Sequence, residues 1–211
     1  NEEIKVAQQK AHVPINDSGE LAGACFAIVK VGAESIEIVQ VGDCFALCAF
    51  KDGTINITSN QLRAHEREMK DVISRLMREI ATERGVELEA IDKKARGKIR
   101  GEMWNRFYPL LKEARRQDAN NQASPRGYGL LNGQPQLADM LWEQSFPLTE
   151  IVTVLLFSDG IVPWDIMKSA DDQAIGKQVL AEFKKRSLVC LLLEARGIEE
   201  KTAAISYMDQ A

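Results

Sequence analysis

Histidine and cysteine are scarce, and neither is placed for a soft-metal site. Only His12 and His65 occur, and the four cysteines, Cys25, Cys44, Cys48 and Cys190, form no C-x-x-C pair. Neither histidine stands in ligand spacing to a cysteine, so there is no zinc signature. Cys44 and Cys48 lie four residues apart in a strand-like run and therefore point to one face. They read as buried reduced thiols, which fits a cytoplasmic location. Long apolar runs are missing too: none approaches the roughly 18 residues of a membrane span, so no membrane partner is expected. The opening "NEEIKVAQQK" has no signal-peptide pattern. Since it lacks Met, the chain is expected to be part of a longer one. Internal repeats and low-complexity tracts are also lacking.

What is present is an ordinary globular composition, 45% hydrophobic and 27% charged over 211 residues. That length suffices for a single domain, 1–211, with a sizeable core. The net charge of −4 selects no partner, but it is unevenly spread. Residues 62–118 hold 15 basic and 11 acidic side chains, and the remainder carries −8. Both signs alternate in that middle stretch. It therefore reads as a solvated helical face, and no nucleic-acid partner is expected.

Hydrophobic periodicity divides the chain. Residues 1–12 read as the end of a helix, and Pro14, Asn16, Asp17 and Gly19 mark a loop. Strands are predicted at Gly23–Val31, Ile36–Val41, Cys44–Phe50 and Thr54–Thr58, with a D-G hairpin turn at Lys51-Asp52-Gly53. Short strands with tight turns predict an antiparallel meander. Met69, Val72, Ile73, Leu76, Met77 and Ile80 follow helical spacing, ended by Gly85. A second, more charged helical region is expected from Leu88 to Arg116, then a loop over Asn120–Gly129. Further strands are predicted at Tyr128–Leu131, Leu137–Trp142 and Glu150–Ser158, the last as a central buried strand. Helices at Asp171–Lys185 and Ser187–Ala195, a stop at Gly197 and a strand over Thr202–Met208 complete the pattern. The order implies an α+β fold of antiparallel sheet with helices outside.

Three places put acids beside a strand end: Val41-Gly42-Asp43, Ser158-Asp159-Gly160 and Glu199-Glu200-Lys201-Thr202. Each alone reads first as a turn carboxylate bonding backbone N–H groups. An apolar strand that ends on a carboxylate nevertheless needs a positive partner or a raised pKa, and a metal ion is one such partner.

In order and setting, the three segments resemble the metal-dependent protein phosphatases of the type 2C family. "IEIVQVGDCFALCAFKDGTINITSNQ" is similar to that family's G-D-S-R-A strand-turn and the D-G turn after it. "VTVLLFSDGI" resembles its strand ending in S-D-G, and "EARGIEEKTAAISYM" its closing D-N-x-T segment and last strand. The resemblance covers roughly 23–61 and 127–208. It implies a four-layer α-β-β-α sandwich of two antiparallel sheets, with 62–118 a helical insertion in the variable region. It also implies Mg²⁺ or Mn²⁺ held by aspartates, since hard cations take oxygen ligands. The implied reaction is hydrolysis of phosphoserine or phosphothreonine in a phosphoprotein substrate by a metal-bridged water.

Carried over residue by residue, the implied metal ligands are Asp159, Glu199 and Asp43. Asp159 matches the S-D-G aspartate, and Asp43 the G-D-S aspartate. Glu199 stands where the D-N-x-T aspartate is expected, with Glu200 as its alternative. Asp165 resembles the aspartate after D-G-x-W, at a longer spacing. Cys44 and Phe45 replace the family's Ser and Arg. The family's phosphate-gripping arginine, E-D pair and D-G-x-G segment are not found, and its upstream strands are expected to lie outside this chain. Two functions follow: a protein serine/threonine phosphatase, or a non-catalytic phosphatase-like binding or regulatory module.

Overall fold

A computed structural model describes residues 1–88, 93–162 and 171–202; the side chains of Lys93, Leu188, Ala195 and 198–202 lie outside the described set. The chain is α+β, with two three-stranded antiparallel sheets. One sheet has the order β1 (Phe26–Val31), β2 (Ser35–Val41), β5 (Trp142–Pro147); the other has β4 (Ile55–Ile57), β3 (Cys44–Phe50), β6 (Ile151–Ser158). The helices are α1 (Glu2–Lys10), α2 (Arg63–Glu83), α3 (Lys93–Asp118) and α4 (Asp172–Thr202).

The expected four-strand meander is broken at Gly42-Asp43. β1 and β2 pair as one hairpin, β3 and β4 as another, and the turn between β2 and β3 carries the chain from sheet to sheet. β3 can serve both sides because it is apolar at every position. Phe45, Leu47 and Ala49 enter one cluster with Leu155, Phe157 and α4 residues Ile175, Val179 and Leu191. Ala46 and Cys48 enter the other, with Ile36, Ile38 and Phe146 of the neighbouring sheet. A fully buried side chain of this size contributes roughly 1.5–3 kcal/mol, so the two faces of β3 anchor both sheets. Gly176 lets α4 approach: a Cβ there would stand 3.0–3.2 Å from the methyls of Ile57, Leu47 and Ile55.

The helical middle folds on itself. Leu76, Met77 and Ile80 of α2 pack against Ile99, Met103 and Phe107 of α3, with Met69, Val72 and Ile73 around them. Of the six periodic side chains read from the sequence, Leu76, Met77 and Ile80 are buried and Met69, Val72 and Ile73 half-buried on the same face.

Four expectations are corrected. Tyr128–Leu131 makes only isolated bridges, Ala119 with Tyr128 and Ala24 with Leu131, since Asn120 Nδ2 and Oδ1 take the Leu130 backbone groups. Pro135–Met140 is a 3-10 helix opened by its proline, and the strand lies further on, at β5. Among the described residues β6 is an edge strand, not a central one: Leu155 and Phe157 are buried, while Val152 and Leu156 are exposed. The last helix does not stop at Gly197. It runs to Thr202, broken only at Ser187, whose φ of 74° and ψ of 161° are not helical. The strand expected over Thr202–Met208 lies outside the described residues beyond Thr202, and so does Asp165.

Candidate metal centre

Antiparallel register brings two of the expected ligands together. Cys44 pairs with Ser158 at the start of β3 and the end of β6, so Asp43 and Asp159 leave the sheet side by side. Asp159 opens the short 3-10 turn Asp159–Ile161, and Val162 N–H donates to its carbonyl at 2.9 Å. Asp43 follows Gly42, whose φ is 80°. Glycine is required there twice over. The left-handed backbone disfavours a side chain, and a Cβ would fall 2.1 Å from Cys25 Sγ.

A third carboxylate joins them from α2. One oxygen each of Asp43, Glu66 and Asp159 lie within 4.8 Å of one another. This cluster can hold a metal ion. The sequence does not single out Glu66. Its segment, "RAHEREMK", alternates charges, and nothing in its spacing separates Glu66 from Glu68. Only the tertiary placement of α2 distinguishes it. Glu199 and Glu200 lie in the backbone of α4, in helix rather than the expected loop, and their side chains lie outside the described residues.

Hydrogen bonds lock the start of α2 to the Asp43 turn. Gln61 Oε1 accepts from Gly42 N–H at 3.0 Å and from Gly129 N–H at 3.1 Å; Gln61 N–H donates to the Gly42 carbonyl at 3.0 Å. Its Nε2 donates to the Met140 carbonyl. Asn60 Oδ1 accepts from Leu62 N–H at 2.8 Å in an Asx turn that leads into the helix, while Glu66 N–H closes the first turn on the carbonyl of Leu62, the N-cap residue. Asn60 N–H donates to Asp172, which is ion-paired with Arg63. On the other side of that turn, buried His65 meets fully buried Asp118 at 3.1 Å and lies against the Tyr128 ring, centroids 4.7 Å apart. Asp118 also accepts from Ser124 Oγ at 2.7 Å. The first turn of α2 is thereby held on both flanks, with Glu66 between.

The electrostatics are those of crowded negative charge. Burial, then the charges of Asp159 and Asp43, push the Glu66 carboxyl above its ordinary range, against the pull of Lys70 and an Asn60 hydrogen bond. Cys44, beside the cluster, is raised by burial and then by Asp43 and Asp159. Cys25 is pushed up to about 12, chiefly by burial. Both therefore remain thiols near neutral pH and are poor nucleophiles. A dication would relieve the like-charge repulsion, and a carboxylate-only set suits a hard one.

Compared with known proteins, the chain finds no match: no family model, no curated protein and no solved structure corresponds to it.

Proposed function

We propose that the chain carries the catalytic centre of a metal-dependent phosphatase of the type 2C kind, acting on phosphoserine or phosphothreonine in proteins. The observation that supports this most is the convergence of Asp43, Glu66 and Asp159 from two sheet turns and a helix on one point. Those three residues would hold Mg²⁺ or Mn²⁺, with water completing the coordination, as is usual where protein ligands are few. A bound dication of this type supplies a water of lowered pKa and a sink for charge on phosphoryl oxygens.

The chain's own groups support hydrolysis by water over covalent catalysis. Two cysteines stand beside the cluster, Cys44 and Cys25, and burial first, then the neighbouring carboxylates, keep their protons on. Gln61 fixes the distance between the Asp43 turn and the helix that bears Glu66. In this reading the fold is the four-layer sandwich, 62–118 is an insertion that lends Glu66 to the site, and Glu199 or Glu200 adds a further carboxylate. Four free cysteines suit a reducing, cytoplasmic setting.

One observation favours the second reading, a phosphatase-like binding module. Where the resemblance places an arginine after G-D-S, Phe45 is fully buried, stacked on Phe157 with ring centroids 5.1 Å apart. That position cannot reach a phosphate. Hydrolysis of an aryl phosphate and of phosphothreonine peptides, with Mn²⁺ or Mg²⁺ and with chelator, separates the readings. Metal-dependent turnover, abolished by Asp159→Ala with the fold retained, is the expected result. Metal binding without turnover would favour the binding module, and neither binding nor turnover would refute the metal centre and the phosphatase with it.

A further inference from the structure

Away from the acidic cluster, an open groove of about 580 Å³ runs between β4 and α4. Gly53, Thr54 and Ile55 form one wall, and Gln173, Lys177, Leu180, Ala181 and Lys184 the other. The strand wall is a free sheet edge among the described residues, because β4 pairs only with β3. Its backbone polarity follows from the ladder. Phe50 N–H donates to the Thr54 carbonyl and Thr58 N–H to the Ala46 carbonyl, so Thr54 and Thr58 face β3. The N–H and C=O groups of Ile55 and Ile57 between them point outward, in the pattern an added strand requires.

The helix wall is positive. Lys177 and Lys184 are exposed on the groove side of α4, and among the described residues neither is ion-paired; the neighbouring Glu182 is taken by Lys185 and Arg186. Leu180 supplies an apolar floor, 8% exposed. A groove with strand hydrogen-bonding groups on one side and two free ammonium groups on the other matches one ligand chemistry. We propose that it docks an extended, acidic segment of a protein partner, which adds to the edge of β4 while its carboxylates meet Lys177 and Lys184. The proposal does not rest on the metal reading.

The test is fluorescence anisotropy with a fluorescein-labelled peptide of alternating threonine and glutamate. The wild-type chain should bind it, with affinity falling as salt rises. Combined Lys177→Glu and Lys184→Glu, both exposed and so without cost to the fold, should weaken binding about tenfold or more, since reversal replaces two attractive ion pairs with repulsion. Methylating alternate backbone nitrogens of the peptide should remove binding, because the strand donors are lost. No binding by the wild type, unchanged affinity in the double variant, or equal binding of the methylated peptide or of oligouridylate would each overturn the proposal. Circular dichroism of the variant confirms that the fold is intact.

Discussion

Cys44 stands opposite Ser158 in the ladder of β3 and β6, and this one pairing sets Asp43 beside Asp159 at the same sheet end. Two carboxylates from distant turns are thereby fixed by backbone hydrogen bonds, and α2 adds Glu66. If the three act as one cation site, each should matter. Asp43→Asn, Asp159→Asn and Glu66→Gln should each lower Mn²⁺ affinity by on the order of 10–100-fold, the range seen when even the partners of metal ligands are removed. Calorimetric titration of each variant checks this. A variant that keeps wild-type affinity removes its residue from the site.

The same crowding makes an opposite prediction for the metal-free protein. Glu66 has a raised carboxyl pKa, caused first by burial and then by Asp159 and Asp43. A group whose pKa rises on folding binds its proton more tightly in the native state. Its ionised form therefore opposes folding, and the penalty fades as pH falls through the raised value. Glu66→Gln should raise the melting temperature in chelator at pH 7, and the gain should shrink toward pH 4. In excess Mn²⁺ the order should reverse, because a ligand at about 100 times its dissociation constant stabilises the native state by about 2.7 kcal/mol, and the variant would lose this.

Asp118 should behave in the contrary way. It is fully buried; burial pushes its carboxyl up, but hydrogen bonds with Ser124 and His65 and the charge of Arg126 more than offset this, and its pKa is lowered below 3.8. Its stabilisation is complete above that ordinary value and is lost as pH falls below it, toward the native pKa. Chemical denaturation at pH 7 should show Asp118→Ala less stable by about 3–5 kcal/mol, the usual cost of breaking a buried ion pair from one side. Below pH 4 the gap to wild type should narrow. A gap independent of pH would mean that packing, not charge, is lost.

Much of the fold could be read in the sequence wherever one physical rule dominated. β3 is legible residue for residue, because Cys44–Phe50 is apolar throughout and bounded by Gly42 and Gly53. The packed face of α2 follows from a clean helical period, whereas that of α3 does not: Ile99, Met103 and Phe107 are buried, while Trp104 and Tyr108, at equally plausible spacing, are exposed. Signals weakened where tertiary contacts decide. Leu137 is buried, but in a 3-10 turn, so its hydrophobicity mimicked a strand. Gly197 is favoured just past a helix end and costs about 1 kcal/mol in a helix interior, a small preference that tertiary context overrides, so it pointed to a stop where α4 continues. At the site, Asp43 and Asp159 stood out because each ends an apolar strand. Glu66 did not, because an acid in the first turn of a charged helix is favoured for the helix's own sake. Gln61 was invisible for a similar reason: its amide bridges Gly42, Gly129 and Met140, which are neighbours only after folding.

The placement of Glu66 changes what the helical pair is expected to do. Had α2 and α3 been a remote appendage, deleting 62–118 would alter partner choice and spare the site. With Glu66 on the first turn of α2, the pair should couple to the cation instead. Ile80 tests this, since it is fully buried at the centre of the α2–α3 cluster and far along the helix from Glu66. Ile80→Ala should cost about 2–5 kcal/mol through the cavity it leaves. Much of that loss should stay within the pair, because its apolar cluster is separate from those of the two sheets. Hydrogen exchange should therefore quicken across α2 and α3 while β3 and β6 keep their protection. Mn²⁺ affinity should fall in the same variant, as the first turn of α2 loses its support, and saturating Mn²⁺ should slow the exchange again. Uniform acceleration through both sheets would mean that helices and sheets unfold as one unit. Unchanged Mn²⁺ affinity beside a loosened α2 would show that the local contacts of the first turn, from Gln61 and Asn60 to His65, hold Glu66 without the α2–α3 cluster.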